Sequence, residues 1–145
     1  MATIPQKPYL PADLVSVTPD PVTDPFWEGC RLRELRLQRC GDCKRFRHPP
    51  LPGCPQCGSG RSEWVKVSGK GTVFSYTIAY HAVSPQVAKD VPYNVVLVEM
   101  EGAPGVRLVS NLVDTPPEQV RVGLPVEVAW EQAGTDMSLP RFRRA

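Results

Sequence analysis

Residues 40–58 read Cys40-Gly41-Asp42-Cys43-Lys44-Arg45-Phe46-Arg47-His48-Pro49-Pro50-Leu51-Pro52-Gly53-Cys54-Pro55-Gln56-Cys57-Gly58. Two C-x-x-C pairs stand ten residues apart in this stretch. Each pair makes a tight turn that points two sulfurs into one volume. Two such turns, facing each other across a hairpin, complete a tetrahedral S4 set with metal–sulfur distances of about 2.3 Å. The four ligands Cys40, Cys43, Cys54 and Cys57 fill that shell, so the ion, read as Zn2+, is structural: no position is left for water or substrate. Iron suits the same four thiolates, and zinc is preferred as the commoner occupant. Pro49, Pro50 and Pro52 prevent a regular core between the pairs, which leaves metal ligation to supply most of the folding free energy of the segment. Two disulfides are a competing reading, disfavoured in a reducing compartment. A thioredoxin-like redox pair is another, but it wants one C-x-x-C at a helix start. Cys30 lies outside the spacing and reads as a small buried residue.

Upstream of the quartet, ten of the 17 prolines fall in the first 55 residues, which predicts an extended arm that orders only against something else. Asp24-Pro25 places a capping acid before a proline, a helix-start signal, with Phe26, Trp27, Cys30 and Leu32 as a short apolar stripe. At Leu35-Arg36-Leu37-Gln38 the pattern changes to alternation, predicting a strand that runs into the first cysteine pair. Downstream, five runs rich in Val, Ile and aromatics predict short strands: 63–68, 72–80, 94–101, 106–112 and 126–131. With a longer connection between Tyr80 and Asn94, they fit a small closed barrel of the oligonucleotide/oligosaccharide-binding (OB) type, with a plain β-sandwich as the alternative. The predicted fold is mainly β: an amino-terminal arm and short helix over 1–34, a zinc ribbon over 35–62, and a five-stranded OB-fold barrel over 63–145.

The 41% hydrophobic and 22% charged content is ordinary for a soluble globular protein. No apolar run approaches the roughly 20 residues that a membrane-spanning helix needs. Residues 1–10 lack the basic region and apolar stretch of a secretory signal, so the expected compartment is the cytoplasm. Charge is unevenly spread. From Arg31 to Lys70, ten Lys or Arg face three acids, a formal +7, which four thiolates and one divalent ion bring to about +5. From Gly71 to Pro140, three bases face eight acids, or −5.

The catalytic inventory is poor. His48 and His81 are the only histidines; His48 before two prolines reads as a surface residue, and His81 opens the longest loop. Motifs of the types G-x-S-x-G, G-x-x-x-x-G-K-[ST] and G-x-G-x-x-G are absent. Phe74, Tyr76, Ile78 and Tyr80 alternate along one strand and so share a face; with Ile78 among them they read as barrel filling in preference to a base-stacking platform. Arg141, Arg143 and Arg144 around Phe142 read either as a grip for an acidic group or as a solvated tail.

Taken in order, these segments resemble the DUF35 family, proteins built from a rubredoxin-like zinc ribbon and an OB-fold. The residues that carry the resemblance are Asp24-Pro25-Phe26-Trp27-Glu28-Gly29, Leu35-Arg36-Leu37-Gln38-Arg39 before Cys40, and Cys54-Pro55-Gln56-Cys57-Gly58. Glu63-Trp64, Ser68 to Val73, Phe74 to Thr77, Pro92-Tyr93, Leu97-Val98-Glu99, Val122 to Val128 and Leu139-Pro140-Arg141-Phe142 extend it, so that it covers residues 22–142. Lys44 departs from it, because the first knuckle often has Gly there. The resemblance implies a non-catalytic partner subunit of a thiolase-fold enzyme (thiolase, aldolase or acyltransferase) acting on acyl-CoA or related acyl substrates. It also implies an α2β2 hetero-oligomer in which the active-site groups belong to the partner. On that reading Phe26, Trp27, Tyr80, His81 and Phe142 are interface candidates, and Lys44, Arg45 and Arg47 are candidates for contact with the phosphates of coenzyme A. A nucleic-acid-binding module is the alternative, opposed by the net acidic barrel half.

Overall fold

The computed structural model describes residues 16–145. The arm expected at the amino terminus lies, as far as residue 15, outside them. The one α-helix among the described residues, α1 (Asp24–Arg31), begins where expected but is launched differently. The Asp20 carboxylate accepts hydrogen bonds from the Val22 and Thr23 amides at 2.8 and 2.9 Å. Thr23 is the N-cap without a side-chain cap bond, and Pro25 sits in the first turn. Phe26 and Cys30, one turn apart, are the buried stripe, whereas Leu32 is 56% exposed and drops out of it. The chain then turns back: the Glu34 amide donates to the Gly29 carbonyl at 2.8 Å. A Cβ at position 29 would lie 2.6 Å from the Glu34 carbonyl oxygen, so the approach needs glycine.

Three strands, β1 (Arg36–Cys40), β2 (Phe46–Arg47) and β3 (Ser62–Lys66), form an antiparallel sheet in the order β2-β1-β3. The run from Glu63, expected to open the barrel, is therefore a ribbon strand: Leu37 pairs with Val65 and Arg39 with Glu63. Gln38, which alternation would place in solvent, is 3% exposed. Its amide nitrogen donates to the Leu51 carbonyl at 2.9 Å and its amide oxygen accepts from the Leu51 amide at 2.8 Å, pinning the proline-rich loop to β1.

The barrel consists of β4 (Lys70–Ala79), β5 (Tyr93–Met100), β6 (Arg107–Ser110), β7 (Pro125–Ala133) and β8 (Met137–Arg144), in the order β6-β5-β4-β7-β8. The expected count of five holds because β8 replaces the strand lost to the ribbon. A parallel bridge between Leu112 and Phe142 brings the two ends of the sheet together. Val73, Val96, Val98, Leu108, Val126 and Phe142 fill the interior, and the same cluster takes in Phe26, Cys30, Leu35, Leu37 and Val67 from the helix and ribbon.

Two expectations fail on β4 and β8. A register shift between Val73 and Ser75 interrupts the alternation on β4. Phe74 and Tyr76 are consequently 43% and 41% exposed, and Tyr80 75% exposed, in place of filling the barrel. The Arg107 guanidinium lies 3.6 Å from the Phe74 ring centroid. The arginines around Phe142 belong to a strand and are bound within the chain. Arg141 reaches Glu131, 2% exposed, at 3.4 Å and Asn111 Oδ1 at 2.7 Å. Arg143 pairs with Glu127 at 2.7 Å, and Arg144 donates to Gln119 at 2.6 Å.

The two ion pairs on β7 and β8 differ in burial. Arg141→Met takes the guanidinium away from a buried carboxylate and should cost about 3 kcal/mol, since removing one partner of a buried pair takes away much of the charge compensation of the other. Arg143→Met removes a pair a third exposed on both sides and should cost no more than about 1 kcal/mol. Urea denaturation of both variants checks the difference.

Candidate metal centre

Cys40 closes β1, and Cys43 follows in the turn beyond it. Cys54 and Cys57 lie on a second turn with the same hydrogen bonding. The Cys40 amide donates to the Arg45 carbonyl at 2.9 Å, and the Cys54 amide to the Ser59 carbonyl at 2.8 Å. The Lys44 amide donates back to the Cys40 carbonyl at 3.2 Å, and the Gly58 amide to the Cys54 carbonyl at 2.9 Å. The repeat extends to the backbone: Lys44 has φ 64° and Gly58 φ 76°. The first knuckle thus holds a lysine in the conformation that the second gives to glycine.

The four Sγ atoms lie within 4.8 Å of one another, with Cys40–Cys57 and Cys43–Cys54 each at 3.6 Å. Tetrahedral coordination at about 2.3 Å puts ligand sulfurs about 3.8 Å apart, so the residues present fit one tetrahedral ion. All five cysteines are free thiols. The Cys43 amide pointing at its sulfur, 3.4 Å away, holds Cys40 well below the usual thiol range, at about 6. The Cys57 amide likewise lowers the Cys54 thiol. Deprotonated sulfur is the form that ligates metal, and one sulfur of each knuckle is biased towards it. Cys43, although the Arg45 amide favours its thiolate, is pushed up to about 11 by desolvation and the neighbouring sulfurs, a crowding that a cation among them would relieve. Cys30 is fully buried, and burial pushes its thiol up to about 12, consistent with a packing residue.

The candidate phosphate contacts converge on one cleft of about 560 Å³, lined by Lys44, Arg45, Phe46, Arg47, Cys54, Pro55, Gln56, Pro104 and Gly105. They are not equivalent there. Lys44 is paired with Glu63. Arg47, the third candidate phosphate contact, lines the cleft but is only 8% exposed. Its Nη2 donates to the Ser62 hydroxyl at 2.9 Å and the Leu51 carbonyl at 3.2 Å, bracing the ribbon from within. Arg45 is exposed and has no ion pair among the described residues.

Of the interface candidates, Phe142 is 0% exposed and is a core residue; the strand that the tail forms turns it inward. Phe26 is 6% exposed, with its ring edge-on to Trp27 at 5.0 Å. Trp27 is half-buried and lines an apolar groove of about 300 Å³ with His48, Pro49, Pro50, Val109 and Leu139 among its walls. His48, expected at the surface, is instead tilted against Phe26 at 5.2 Å between centroids, and burial pushes its imidazole down to about 4. Tyr80 and His81 are exposed at the open end of the β4–β5 hairpin. Sequence reasoning missed the groove, although Leu139 and Pro140, two of its walls, stand in the carboxy-terminal motif it quoted.

Comparison with known proteins matches two adjoining family models, the rubredoxin-like zinc ribbon domain of ChsH2 over residues 27–63 and the C-terminal OB-fold domain of ChsH2 over residues 64–131. A probable enoyl-CoA hydratase alpha subunit from Thermomonospora curvata is 45% identical over 121 residues, covering 83% of this chain and 37% of that protein. The chain therefore spans little more than a third of that relative. A DUF35 domain-containing scaffold protein from Methanocaldococcus jannaschii is 32% identical over 99 residues, 68% of either chain. Among solved structures, one described as Ltp2-ChsH2(DUF35) aldolase superposes with a TM-score of 0.79 at 39% identity, covering 89% of this chain and 98% of the matched one.

Two properties of the ribbon are measurable. Relative to Lys44→Ala, Lys44→Gly should be more stable by about 1 kcal/mol in denaturant, because both lose the Glu63 pair but only glycine relieves the positive φ. His48 has a folded pKa below that of a free imidazole, about 6.5, so the unfolded chain takes up its proton first. The contribution of His48 to stability is present above that value and lost as pH falls towards about 4. The stability difference between wild type and His48→Phe should therefore narrow or reverse over that window, as read from urea midpoints at successive pH values.

Proposed function

The chain belongs to the DUF35 family, a ChsH2-type zinc ribbon joined to an OB-fold, and on that premise we propose that it is a non-catalytic, zinc-binding partner subunit of a thiolase-fold enzyme acting on acyl-CoA or related acyl substrates. The observation that carries this reading is the likeness, along nearly its whole length, to a chain solved as Ltp2-ChsH2(DUF35) aldolase. The scaffold naming of the methanogen relative supports the same role. So does the sulfur cluster: with all four positions supplied by protein, the zinc it would hold stiffens the ribbon and offers no site for substrate.

The assembly we propose is an α2β2 hetero-oligomer in the cytoplasm, with Trp27 and its groove facing the partner and Tyr80 and His81 forming a second contact. Trp27 is suited to anchor such an interface: it is aromatic, half-buried and rigidly backed by Phe26. If coenzyme A is contacted directly, Arg45 is the uncommitted cation of the cleft beside the knuckles. The exposed aromatics of β4 are the feature that would favour nucleic acid, but the cation nearest them, Arg107, faces Glu99 at 3.7 Å and gives no run of positive charge for a phosphate backbone.

The test combines metal analysis with assembly. Purified without added metal, the chain should carry one zinc. Chelation should speed amide exchange over residues 35–62 while the barrel stays protected. Mixed with Ltp2 aldolase, the wild type should co-elute in light-scattering chromatography and Trp27→Ala should not. The chain alone should turn over no acyl-CoA. Absence of both zinc and iron, or hydratase turnover by the isolated chain, would overturn the proposal.

A further inference from the structure

Strand β4 changes neighbours part-way along its length. Lys70, Gly71 and Thr72 pair with β7. Val73 is then closed off by the preceding loop: its amide donates to the Leu124 carbonyl at 3.0 Å, and its carbonyl accepts from the Gly123 amide at 2.8 Å. Beyond this point, Ser75 to Ala79 pair with Leu97 to Tyr93 on the β5 side. On the other side Phe74 to Ala79 have no backbone partner among the described residues. Among the described residues, a sheet edge of six residues, about 20 Å long, is left unpaired.

Exposed edges in monomeric proteins are normally blunted by charge, by proline or by shortness, because a row of unpaired N–H and C=O groups invites another strand. Three other edges among the described residues follow that rule. The outer strand of the ribbon, β3, carries Glu63 and Lys66; β2 has two residues; β6 has four and opens on Arg107. The free part of β4, Phe74-Ser75-Tyr76-Thr77-Ile78-Ala79, has neither charge nor proline and consists largely of β-forming side chains. Apolar exposure gathers on it as well. Of the eight large apolar residues exposed on the described surface, Phe74 and Tyr76 lie on this edge, Tyr80 and Val83 beyond one end, and Val122 beside Gly123 at the other.

We propose that residues 74–79 of β4 accept an added β-strand from the enzyme subunit, an extended and uncharged segment that continues the barrel sheet; this inference rests on the partner-subunit reading. The unpaired backbone groups supply the hydrogen bonds, and the absence of charge opposite the incoming strand sets its chemistry. A second copy of this chain is a poorer occupant. Edge-to-edge contact over six residues buries far less than the roughly 1,200 Å² of a stable standard interface. An enzyme subunit extends past the edge and adds contacts elsewhere.

Amide exchange on the full-length, metal-loaded chain, alone and with Ltp2 aldolase, tests this directly. Alternate amides of residues 74–79 point away from β5. They should exchange freely in the chain alone and slow by about a hundredfold in the complex. Of Tyr76→Pro and Thr77→Pro, the one whose amide points outward should keep its melting temperature, as edge strands tolerate such a proline. That variant should bind at least about tenfold more weakly. A complex that leaves those amides unprotected overturns the inference while the partner reading stands. Protection in the chain alone, rising with concentration, would show a second copy on the edge and overturns it too. No complex with wild type at all overturns the partner reading, and this inference with it.

Discussion

Four sulfurs held within 4.8 Å of one another are the constraint on which the amino-terminal half depends. Thiolates that close repel unless a cation lies among them, and the amides of Cys43 and Cys57 already bias Cys40 and Cys54 towards the charged form. The knuckles thus fold into a geometry that is favourable only when a metal completes it. Little else holds them. β2 is two residues long, and the loop between the pairs is tied down by Gln38 and Arg47, two polar side chains sharing Leu51 and Ser62 as partners. The network is only partly satisfied, since Arg47 Nε and Nη1 are buried without a hydrogen-bond partner, so it braces the loop less firmly than its four bonds suggest.

The ribbon is nevertheless not an independent bead. Leu35, Leu37 and Val67 flank its sheet and enter the same apolar cluster as Val96, Val98 and Phe142 of the barrel, with Phe26 and Cys30 of the helix joining them. The helix touches both β1 and β8. A metal on the four sulfurs would therefore fix the knuckles, and the shared core fixes the ribbon against the barrel. The surface that contains Trp27, His48 and Leu139 exists because these two kinds of interaction meet along one line.

Which parts of this were legible in the sequence follows from the range of the interactions concerned. The cysteine spacing encodes a contact between two short turns, so the cluster could be read directly, as could the helix start and four of the barrel strands. Readings failed where a partner distant in sequence decides the outcome. The run from Glu63 looks like any strand, and only its pairing with β1 assigns it to the ribbon. β8 contains Pro140 and three arginines, a composition that reads as a tail, until Glu131, Glu127 and Gln119 are seen to neutralise or bind them. Alternation on β4 predicted one aromatic face, and a single irregularity after Val73 displaced it. Lys44 was flagged by its departure from glycine, and its positive φ shows that the departure is borne as backbone strain.

The formal +7 of the ribbon half illustrates how little a charge count says about recognition. Its three acids are used repeatedly: Glu34 holds Arg36 and Lys66, Glu63 holds Arg39 and Lys44, and Asp42 holds Arg61. Arg47 is buried in hydrogen bonds to neutral groups. Most of the cations are thereby committed within the domain, and among the described residues Arg45 is the cation beside the knuckles without an ion pair. What the surface presents instead is an apolar groove and an uncharged strand edge. Recognition through these features draws on burial and backbone hydrogen bonds, which salt screens little, whereas binding to a phosphate backbone falls steeply with ionic strength. On the proposed reading the molecule meets another folded protein through the groove and the strand edge, and its net charge bears on solubility more than on the choice of partner.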